Sequence, residues 1–553
     1  MDIGLTDQAS ARRDSAGRSL FREHMPRFTR WSRRHPRLAW VTAAAVVSPV
    51  LFWCYLRQAQ TYQLNTDPAG QALQAWDMLH GNLLLHGWWL GDVSFYTVEL
   101  PLNMIIEMIV GLKPVEISIL AALIYTAVVL LSALLARGSA RGREGVVRAV
   151  LAGGILLAPS LVLGTRVLMQ GPDHLGTAVP ILLMLLVLDR APERWWVPVV
   201  VGVLLTLAQV SDVLATFAGA AAVAVACGVR VVRGRPQKSA GYDLCLGLAA
   251  VVSIGLARLV LWGINAAGGF YMRPPKNGLG LAPISALPAH LGDTGYNLLI
   301  LFGADFFGRH TVVDVVLAVL HLTGVALALW GLLIGLSGFF GRAADRVTQV
   351  LVAGTVIILA AGAFGNYMSK IVGAHEIVTV LPFCAALAGR LLGGGLVKAR
   401  LVPLLAVWLA CYLGALAYND TQPVRAPAHV ALADWLQAHH LTAGLALYWE
   451  SNITSLDSRG RVRLAPLTRG AASANPYESD SAWYDPAVSR ANFVVTVSSP
   501  ASDAALLTPA EVQAQFGPPP RTYHFQEYTV MVYDYNLLTR LHVPSLGGFS
   551  AGR

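Results

Sequence analysis

A series of long apolar segments runs through most of this chain, and it limits the fold more than any other feature. Hydrophobic residues make up 55% of the 553 residues and charged residues only 13%, whereas soluble chains carry roughly 25% charged residues. Inside a bilayer the backbone must satisfy its own polar groups, so such segments fold as transmembrane helices. The sequence therefore predicts an α-helical, polytopic membrane protein.

The lengths of these segments predict about eleven transmembrane helices, because roughly 20 apolar residues are needed to span a bilayer. The segment 101–112 is too short and carries Glu107, so it is interpreted as an interfacial or re-entrant helix. The predicted bundle covers residues 38–418. Its spans are 38–55, 115–136, 150–163, 177–188, 195–210, 213–229, 244–264, 311–336, 347–364, 377–392 and 401–416.

Positive charge gives the predicted orientation of the bundle. The tail 1–37 contains nine arginines, which stop where the first apolar segment begins. Cytoplasmic loops carry an excess of lysine and arginine, and a basic tail is attracted to anionic lipid. Each loop that the predicted spans place inside carries arginine or lysine. We therefore expect a plasma-membrane protein with a cytoplasmic N-terminus and an extracytoplasmic chain after Tyr418.

The distribution of charge and cysteine excludes several other classes. The net charge of +9 is concentrated in the N-terminal tail, as in an anchor on membrane lipid, and so argues against a nucleic-acid partner. All five cysteines lie in apolar segments without a CxxC motif, which predicts neither disulfides nor a cysteine metal site. The sequence also lacks P-loop, HExxH, GxSxG and CxxCH motifs.

The stretch 58–100 is too polar for a bilayer core, and its pattern is too regular for a loop without secondary structure. Asp67 followed by Pro68 is typical of a helix start, with Asp67 as the N-cap. Apolar residues then recur at helical spacing until Gly81, which offers a stop. We predict an external loop with a short amphipathic helix on the membrane surface and one carboxylate at its mouth.

After Tyr418 the sequence loses its long apolar segments and predicts an extracytoplasmic α/β domain at 424–540. Its length is typical of a single domain. Helices are expected at 430–440 and from Thr508, where Thr508 and Glu511 have capping-box spacing. Strands rich in aliphatic and aromatic residues are expected at 444–449, 461–466, 492–497 and 528–533.

Three charged residues in the outer loops are candidates for catalysis. Asp67 would face the bilayer from outside, where a carboxylate can take a proton from an acceptor hydroxyl, although a plain helix cap explains it equally well. Asp173 and His174 place a carboxylate beside an imidazole, which can orient a substrate or bind a metal. A turn with a capping aspartate is the alternative for this pair.

Four cationic or ionisable residues in outer loops are candidates for binding a phosphate group. They are Arg273 and Lys276 in the long loop after the seventh span, and Lys370 and His375 in a later loop. Positive charge outside runs against the charge bias of the protein, and arginine and lysine bind phosphate oxygens by charge-assisted hydrogen bonds. Contact with lipid headgroups is the alternative explanation.

The layout resembles the GT-C fold of multi-spanning glycosyltransferases that use polyprenyl-phosphate-linked sugars, such as the protein O-mannosyltransferases and bacterial aminoarabinose transferases. The resemblance covers most of the chain and rests on architecture more than on motifs. Locally, DPAGQALQAWDMLHGN is similar to the family's acidic loop and helix, and His375 and Glu376 stand where relatives have an Arg-Tyr pair. YWESNITSLDS resembles a segment of the external domains of such proteins.

This resemblance implies transfer of a sugar from a polyprenyl-phosphate carrier to a glycan or protein acceptor on the outer face. Asp67 would be the catalytic base, and Lys276, Arg273 or Lys370 would bind the phosphate. The charge of the leaving phosphate would be stabilised by a cation or by a divalent metal, and the need for a metal is left open.

The chain departs from the family pattern at one important position. Relatives often have paired acidic residues in the first loop, but here Pro68 follows Asp67. The second carboxylate then comes from elsewhere, with Asp173 as a candidate, or the chain keeps the fold without the activity. The alternative function is a non-catalytic membrane scaffold or sensor whose external domain binds glycan or a protein partner.

Overall fold

The computed structural model describes residues 36–171, 174–234, 237–273, 280–307, 309, 311–341, 344–468, 472–497 and 507–544. Two of the predicted site residues, Asp173 and Lys276, lie outside these ranges, as does nearly all of the arginine-rich tail. The chain up to Trp53 and the chain from Cys54 onward form separate compact units. Helix α1 (Pro36–Ala59) starts in the first unit. Its valine and tryptophan side chains are largely exposed, as expected for a lipid-facing surface.

Helices dominate the rest of the chain as far as the last apolar segment. They are α2 (Thr66–Leu79), α3 (Glu99–Val110), α4 (Val115–Arg137), α5 (Gly142–Leu156), α6 (Leu163–Met169), α7 (Ala178–Arg190), α8 (Trp196–Ser211), α9 (Ala222–Val232), α10 (Gln237–Ala266), α11 (Leu287–Leu301), α12 (Val312–Gly338), α13 (Arg346–Phe364), α14 (Gly373–Glu376), α15 (Val380–Lys398) and α16 (Val402–Asp420). A π-helical turn at Thr216–Ala221 leads into α9.

Seven of the described helices are long and apolar enough to cross a membrane, namely α1, α4, α10, α12, α13, α15 and α16. An eighth span results if Leu163–Met169 and His174–Arg190, which meet at a bend of 56°, form one broken helix. Trp196–Ser211 and Thr216–Val232 are apolar but shorter. The protein is therefore a multi-pass membrane protein, as the sequence predicts, and the number eleven stays a prediction. The segment predicted as interfacial forms the 12-residue α3.

The C-terminal region contains the expected mixture of helices and strands. Its helices are α17 (Val430–Ala438), α18 (Tyr448–Asp457) and α19 (Pro509–Phe516), and the predicted capping box of Thr508 and Glu511 is present at the start of α19. The strands of the whole chain are β1 (Trp88–Leu90), β2 (Tyr271–Met272), β3 (Ala443–Leu447), β4 (Arg463–Leu467), β5 (Ser479–Asp480), β6 (Phe493–Val497), β7 (Arg521–Phe525) and β8 (Tyr528–Val532).

Five strands form one sheet in the order β4-β3-β6-β8-β7. β3 is parallel to both β4 and β6, whereas β8 is antiparallel to β6 and β7. Because side chains alternate along a strand, Leu445 and Val494 pack on one face of the sheet and Ala446 and Phe493 on the other. The strand predicted at 444–449 ends at Leu447, because the chain turns there into α18, a helix that the sequence analysis did not predict.

Three other strands form a small sheet in the order β2-β1-β5. Trp89 of β1 is paired with Tyr271 in parallel register and with Ser479 in antiparallel register. This sheet therefore ties together the first loop, the loop after α10 and the C-terminal region. These segments are separated by nearly 400 residues, so their junction could not be inferred from local sequence patterns.

Helix α2 is present where the sequence predicts it, but two details of that prediction are wrong. The N-cap is Asn65 rather than Asp67. Asp67 lies within the first turn, and its side chain accepts a hydrogen bond from the Tyr448 hydroxyl. The helix is also not an open surface helix, because most of its residues are buried against α3, α4 and α18. The chain leaves α2 through Gly81 at φ 107°, a left-handed conformation that favours glycine.

The packing of α2 against α18 predicts an unusual response to a glycine substitution. A Cβ at Gly70 would collide with Glu478 Oε2 and lie 3.0 Å from Asn452 Nδ2. We expect Gly70→Ala to lower the melting temperature of the purified protein, because overpacking costs about 1–3 kcal/mol and exceeds the gain of about 0.5–1 kcal/mol that alanine gives inside a helix.

Gly228→Ala in α9 is the matched control, because a Cβ there meets no atom within 4 Å. This variant should keep or raise the melting temperature in a thermal unfolding assay. Equal melting temperatures for the two variants would contradict the tight packing of α2 on the C-terminal region.

Candidate functional site

A cleft of about 330 Å³ lies between the first loop, helices α6 and α14, and the C-terminal region. This volume falls within the range of small-molecule sites, roughly 300–1,000 Å³. The wall combines acidic, basic and aromatic side chains from distant parts of the sequence. It is lined by Asn65, Asp67, Pro68, Gln71, Gly91, Asp92, Val93, Phe95, Arg166, Gln170, Gly171, His174, Val372, His375, Glu376, Trp449, Tyr477 and Glu478.

The small sheet explains why several of these residues meet. β1 and β2 run parallel, so the residues that follow them, Asp92 and Arg273, emerge at the same end. β5 runs antiparallel to β1, so the residues that precede it, Tyr477 and Glu478, emerge at that end as well. The Arg273 amide donates to the Gly91 carbonyl at 3.1 Å, and its guanidinium carbon lies 5.9 Å from the centre of the Tyr477 ring.

Asp67 and Glu478 are connected through a single phenol. The hydroxyl of Tyr448 lies 2.6 Å from Asp67 Oδ1 and 2.8 Å from Glu478 Oε2. Tyr448 is the first residue of α18, which packs directly against α2, where the Ile453 amide donates to Thr66 Oγ1 at 3.1 Å. The predicted candidate Asp67 therefore faces a second carboxyl group, which the C-terminal region supplies.

Glu478 is held in an environment that disfavours a charge. It is 5% exposed, and the Asn452 amide donates to its backbone carbonyl at 2.9 Å. Burial, followed by the negative charge of Asp67, raises the pKa of Glu478 well above its usual range. Its backbone φ of 46° is strained for a residue with a side chain, and such strain is typical of functional sites.

His174 is oriented by a buried carboxylate on another part of the cleft wall. It begins a 3₁₀ turn, and its Nδ1 lies 2.9 Å from Asp212 Oδ2, which also accepts a 2.7 Å hydrogen bond from Thr177 Oγ1. Asp212 is 1% exposed, and the Nε2 of His174 lies 3.9 Å from Glu376 Oε1 in the cleft. A carboxylate on one ring nitrogen fixes the imidazole and favours proton exchange at the other.

A further carboxyl group lies behind this histidine. Glu99 begins α3 and is fully buried, and Ser211 Oγ donates to its Oε2 at 2.7 Å. Burial raises the pKa of Glu99 to about 8, against the opposing effect of the Ser211 hydrogen bond. Glu99 is therefore a neutral, structural acid at moderate pH rather than a solvated carboxylate.

Arg166 is a cation in the cleft wall that the sequence analysis did not select. It lies in α6, is partly buried, and its guanidinium makes no hydrogen bond or ion pair with any other described residue. A guanidinium that is not engaged by the described residues around it is able to bind an anionic ligand with several hydrogen bonds. Gln71 adds a buried amide oxygen without a hydrogen-bond partner among the described residues of the same cleft.

The predicted site residues fall into three groups. Asp67, His174 and His375 line the cleft. Arg273 stacks on Tyr477 at its edge, whereas Lys370 is exposed with its ammonium 4.4 Å from the centre of the Tyr296 ring. Asp173 and Lys276 lie outside the described residues, so their predicted roles stay predictions.

Sequence reasoning missed Tyr448 and Glu478 as parts of the site. Tyr448 lies at the start of the YWESNITSLDS segment, which had been noted only for its resemblance to external domains. Glu478 follows Tyr477 in a stretch that shows no catalytic motif. No signal in the sequence links either residue to Asp67, which is more than 380 positions earlier.

The carboxyl groups and imidazoles of the cleft are side chains that can bind a divalent metal ion. Over the described ranges, no group of three histidine, cysteine, aspartate or glutamate residues is arranged to hold a metal ion. The Tyr448 hydroxyl joins the carboxyl groups of Asp67 and Glu478 directly. The divalent cation that the resemblance suggests stays a prediction.

The raised pKa of Glu99 predicts a loss of stability with rising pH. The folded state keeps a proton on Glu99 up to a pKa of about 8, whereas the unfolded state releases it near 4.5. The folded state therefore binds more protons between these values, and the free energy of unfolding falls as the pH rises through that window. We expect Glu99→Gln to lose several degrees less in melting temperature than the wild type between pH 5 and about 8.

Asp534→Asn is the matched control for this pH series, because Asp534 is exposed in the C-terminal region. Its melting temperature should follow the wild-type pH dependence. A Glu99→Gln protein with the wild-type slope would show that Glu99 is not protonated in the folded state.

Two comparisons with known proteins found no relative. No protein-family model matches the sequence, and no curated protein matches it either. Solved structures, in contrast, share the fold. ArnT from Cupriavidus metallidurans in the apo state aligns with 90% of this chain and 98% of its own, at 14% identity and a TM-score of 0.54. ArnT from the same organism bound to undecaprenyl phosphate covers 89% and 97%, at 13% identity and a TM-score of 0.53. The likeness establishes the GT-C fold that the sequence had suggested.

Proposed function

We propose that this protein is a glycosyltransferase that moves a sugar from a polyprenyl-phosphate carrier to the hydroxyl group of an acceptor. The observation that carries the proposal is the cleft, which holds in one cavity the Asp67 carboxylate and Arg166, whose guanidinium pairs with no other described residue. The fold supports it, because the structure of ArnT with the same fold was solved with undecaprenyl phosphate bound. Such a donor carries the phosphate group that a cationic cleft wall would bind.

Asp67 is proposed as the base of the transfer. The acceptor oxygen forms a bond to the anomeric carbon of the sugar, and the bond from that carbon to the phosphate oxygen breaks. The hydroxyl proton moves to Asp67, and the phosphate leaves with its polyprenyl chain. A positioned general base contributes about 10²–10⁴-fold to such a reaction.

Arg166 is proposed to stabilise the leaving phosphate, together with the residues predicted from the sequence. Negative charge grows on the phosphate as the sugar leaves, and a preorganised cation in a partly buried cleft stabilises that charge. His375 lies in the same cleft and Arg273 at its edge. Lys276 and Lys370 are kept as proposed phosphate contacts from the long outer loop and the loop before α14.

The arginine distribution supports a reaction on the outer face of the plasma membrane. The tail that would be cytoplasmic carries nine arginines, whereas the cleft is formed by segments that the charge rule places outside. The acceptor would then be a glycan or a protein that is accessible from outside. Membrane lipid would hold the polyprenyl chain of the donor beside the bundle.

Asp67→Asn tests the base directly. We expect transfer in nanodiscs from a panel of radiolabelled polyprenyl-phosphate sugars to fall about 10²–10⁴-fold, while binding of undecaprenyl phosphate stays close to the wild-type value. Asp534→Asn, which removes an exposed carboxylate, should leave both unchanged. A folded Asp67→Asn protein with full transfer activity would remove Asp67 from this role.

Arg166→Gln tests the phosphate site. A hydrogen bond to a charged group contributes about 1.5–3 kcal/mol, so we expect binding of undecaprenyl phosphate to weaken about 10–150-fold. Arg425→Gln removes an exposed arginine after α16 and serves as the control. Lack of binding to any polyprenyl phosphate by the wild type would instead favour the scaffold function, which a glycan-binding assay would then examine.

A further inference from the structure

The hydroxyl group of Tyr448 has one hydrogen but two carboxyl neighbours. Asp67 Oδ1 lies 2.6 Å away and Glu478 Oε2 lies 2.8 Å away, and both distances are those of hydrogen bonds. A phenol donates one hydrogen bond and accepts others, whereas an ionised carboxylate only accepts. If Tyr448 donates to one carboxylate, the other carboxyl group must donate to Tyr448. One of the two acids is therefore protonated.

The surroundings identify Glu478 as the protonated member. Glu478 is 5% exposed, whereas Asp67 is partly exposed in the first turn of α2 and lines the open cleft. A charge costs more free energy at the more deeply buried position. The direction in which burial and Asp67 shift the pKa of Glu478 agrees with this assignment.

The charged and titratable groups that face Glu478 come from each element around it. They are Asp67 on α2, Asp92 after β1 and Tyr448 on α18. Tyr477 precedes Glu478 in the chain, and the guanidinium of Arg273 after β2 lies over the Tyr477 ring. Among these described residues, Arg273 is the cation. The carboxyl groups of Asp67 and Asp92 disfavour a further negative charge on Glu478 and so favour a proton there.

We propose that Glu478, Tyr448 and Asp67 form a proton-sharing unit, in which Glu478 donates to Tyr448 and Tyr448 donates to an ionised Asp67. Glu478 is then a positioning residue that acts on the proposed base through Tyr448. The catalytic part of this inference rests on the proposed function, whereas the position of the proton does not. The unit also supplies, from the C-terminal region, the second acid that is missing at position 68 directly after Asp67.

The arrangement explains how an aspartate remains a usable base beside a second acid. An ionised Glu478 would repel a charge on Asp67 and raise its affinity for a proton. A neutral Glu478 removes this repulsion and orients the phenol, so that the phenol stabilises the ionised form of Asp67. In the transfer step the acceptor O–H bond breaks and its proton binds Asp67, while Glu478 keeps its own proton. The proton on Asp67 is then lost to solvent through the cleft.

Infrared difference spectroscopy of the purified protein tests the position of the proton without any sugar donor. At neutral pH, the spectrum of the wild type minus that of Glu478→Gln should contain the carbonyl stretch of a protonated carboxylic acid. The spectrum of the wild type minus that of Asp67→Asn should contain the bands of an ionised carboxylate. If the Glu478→Gln difference spectrum contains carboxylate bands and no carbonyl stretch of a protonated acid, the proposal is overturned. Thermal unfolding of each variant verifies that it is folded.

The pH dependence of sugar transfer tests whether Glu478 and Tyr448 act on the proton affinity of Asp67. Tyr448→Phe removes the donor to ionised Asp67, so the acidic limb of the rate profile should shift to higher pH. Glu478→Gln keeps a neutral donor to Tyr448, so its rate should exceed that of Glu478→Ala by about tenfold, the value of one lost hydrogen bond. A purely structural role would lower the rate equally at all pH values and would overturn the coupling.

The two kinds of failure are distinguishable. If the wild type transfers no sugar from any donor in the panel, the proposed function fails, while the infrared bands still locate the proton. If transfer is measured but the acidic limb does not move in Tyr448→Phe, the proposed function stands and the proton-sharing unit fails.

Discussion

The pairing of β1 with β5 and β2 is the interaction on which the site depends. Three short strands, Trp88–Leu90, Tyr271–Met272 and Ser479–Asp480, join the first loop, the loop after α10 and the C-terminal region into one small sheet. Parallel and antiparallel directions place the residues next to these strands at one end, where Asp92, Arg273 and Glu478 meet. This sheet, together with the hydrogen bond from Asn452, fixes Glu478 relative to Asp67 and forms the acidic wall of the cleft.

The packing of α18 on α2 is the second interaction that positions the acidic residues of the cleft. Gly70 leaves room for Glu478, and the Ile453 amide and Thr66 hydroxyl join the two helices. Tyr448 then reaches Asp67 from the first turn of α18. The C-terminal region is therefore part of the cleft wall, where it orients the acidic groups. The opposite wall, with His174 on Asp212 and with Arg166 of α6, is built by the helical bundle.

Different parts of the site were predictable to different degrees. Asp67 was identified because an acidic residue at a helix start in an external loop is a local pattern, although its interpretation as an N-cap was wrong. His174 was identified beside Asp173, whereas its described partner is Asp212, from a turn 38 positions later. Arg166 was passed over because a single arginine in a short outer loop has no distinctive pattern. The strand β7 was missed because it lies at a sheet edge and alternates polar and aromatic residues.

The sequence by itself determined that this is a multi-pass helical membrane protein with a C-terminal α/β region, and it suggested the GT-C fold. Those features depend on hydrophobic length and periodicity, which are properties of neighbouring residues along the chain. Only the tertiary structure decided which second acid faces Asp67 and which groups share one cleft. Hydrogen bonds such as those of Tyr448 depend on distances between segments hundreds of residues apart, and strand pairing and helix packing fix those distances only once the chain has folded.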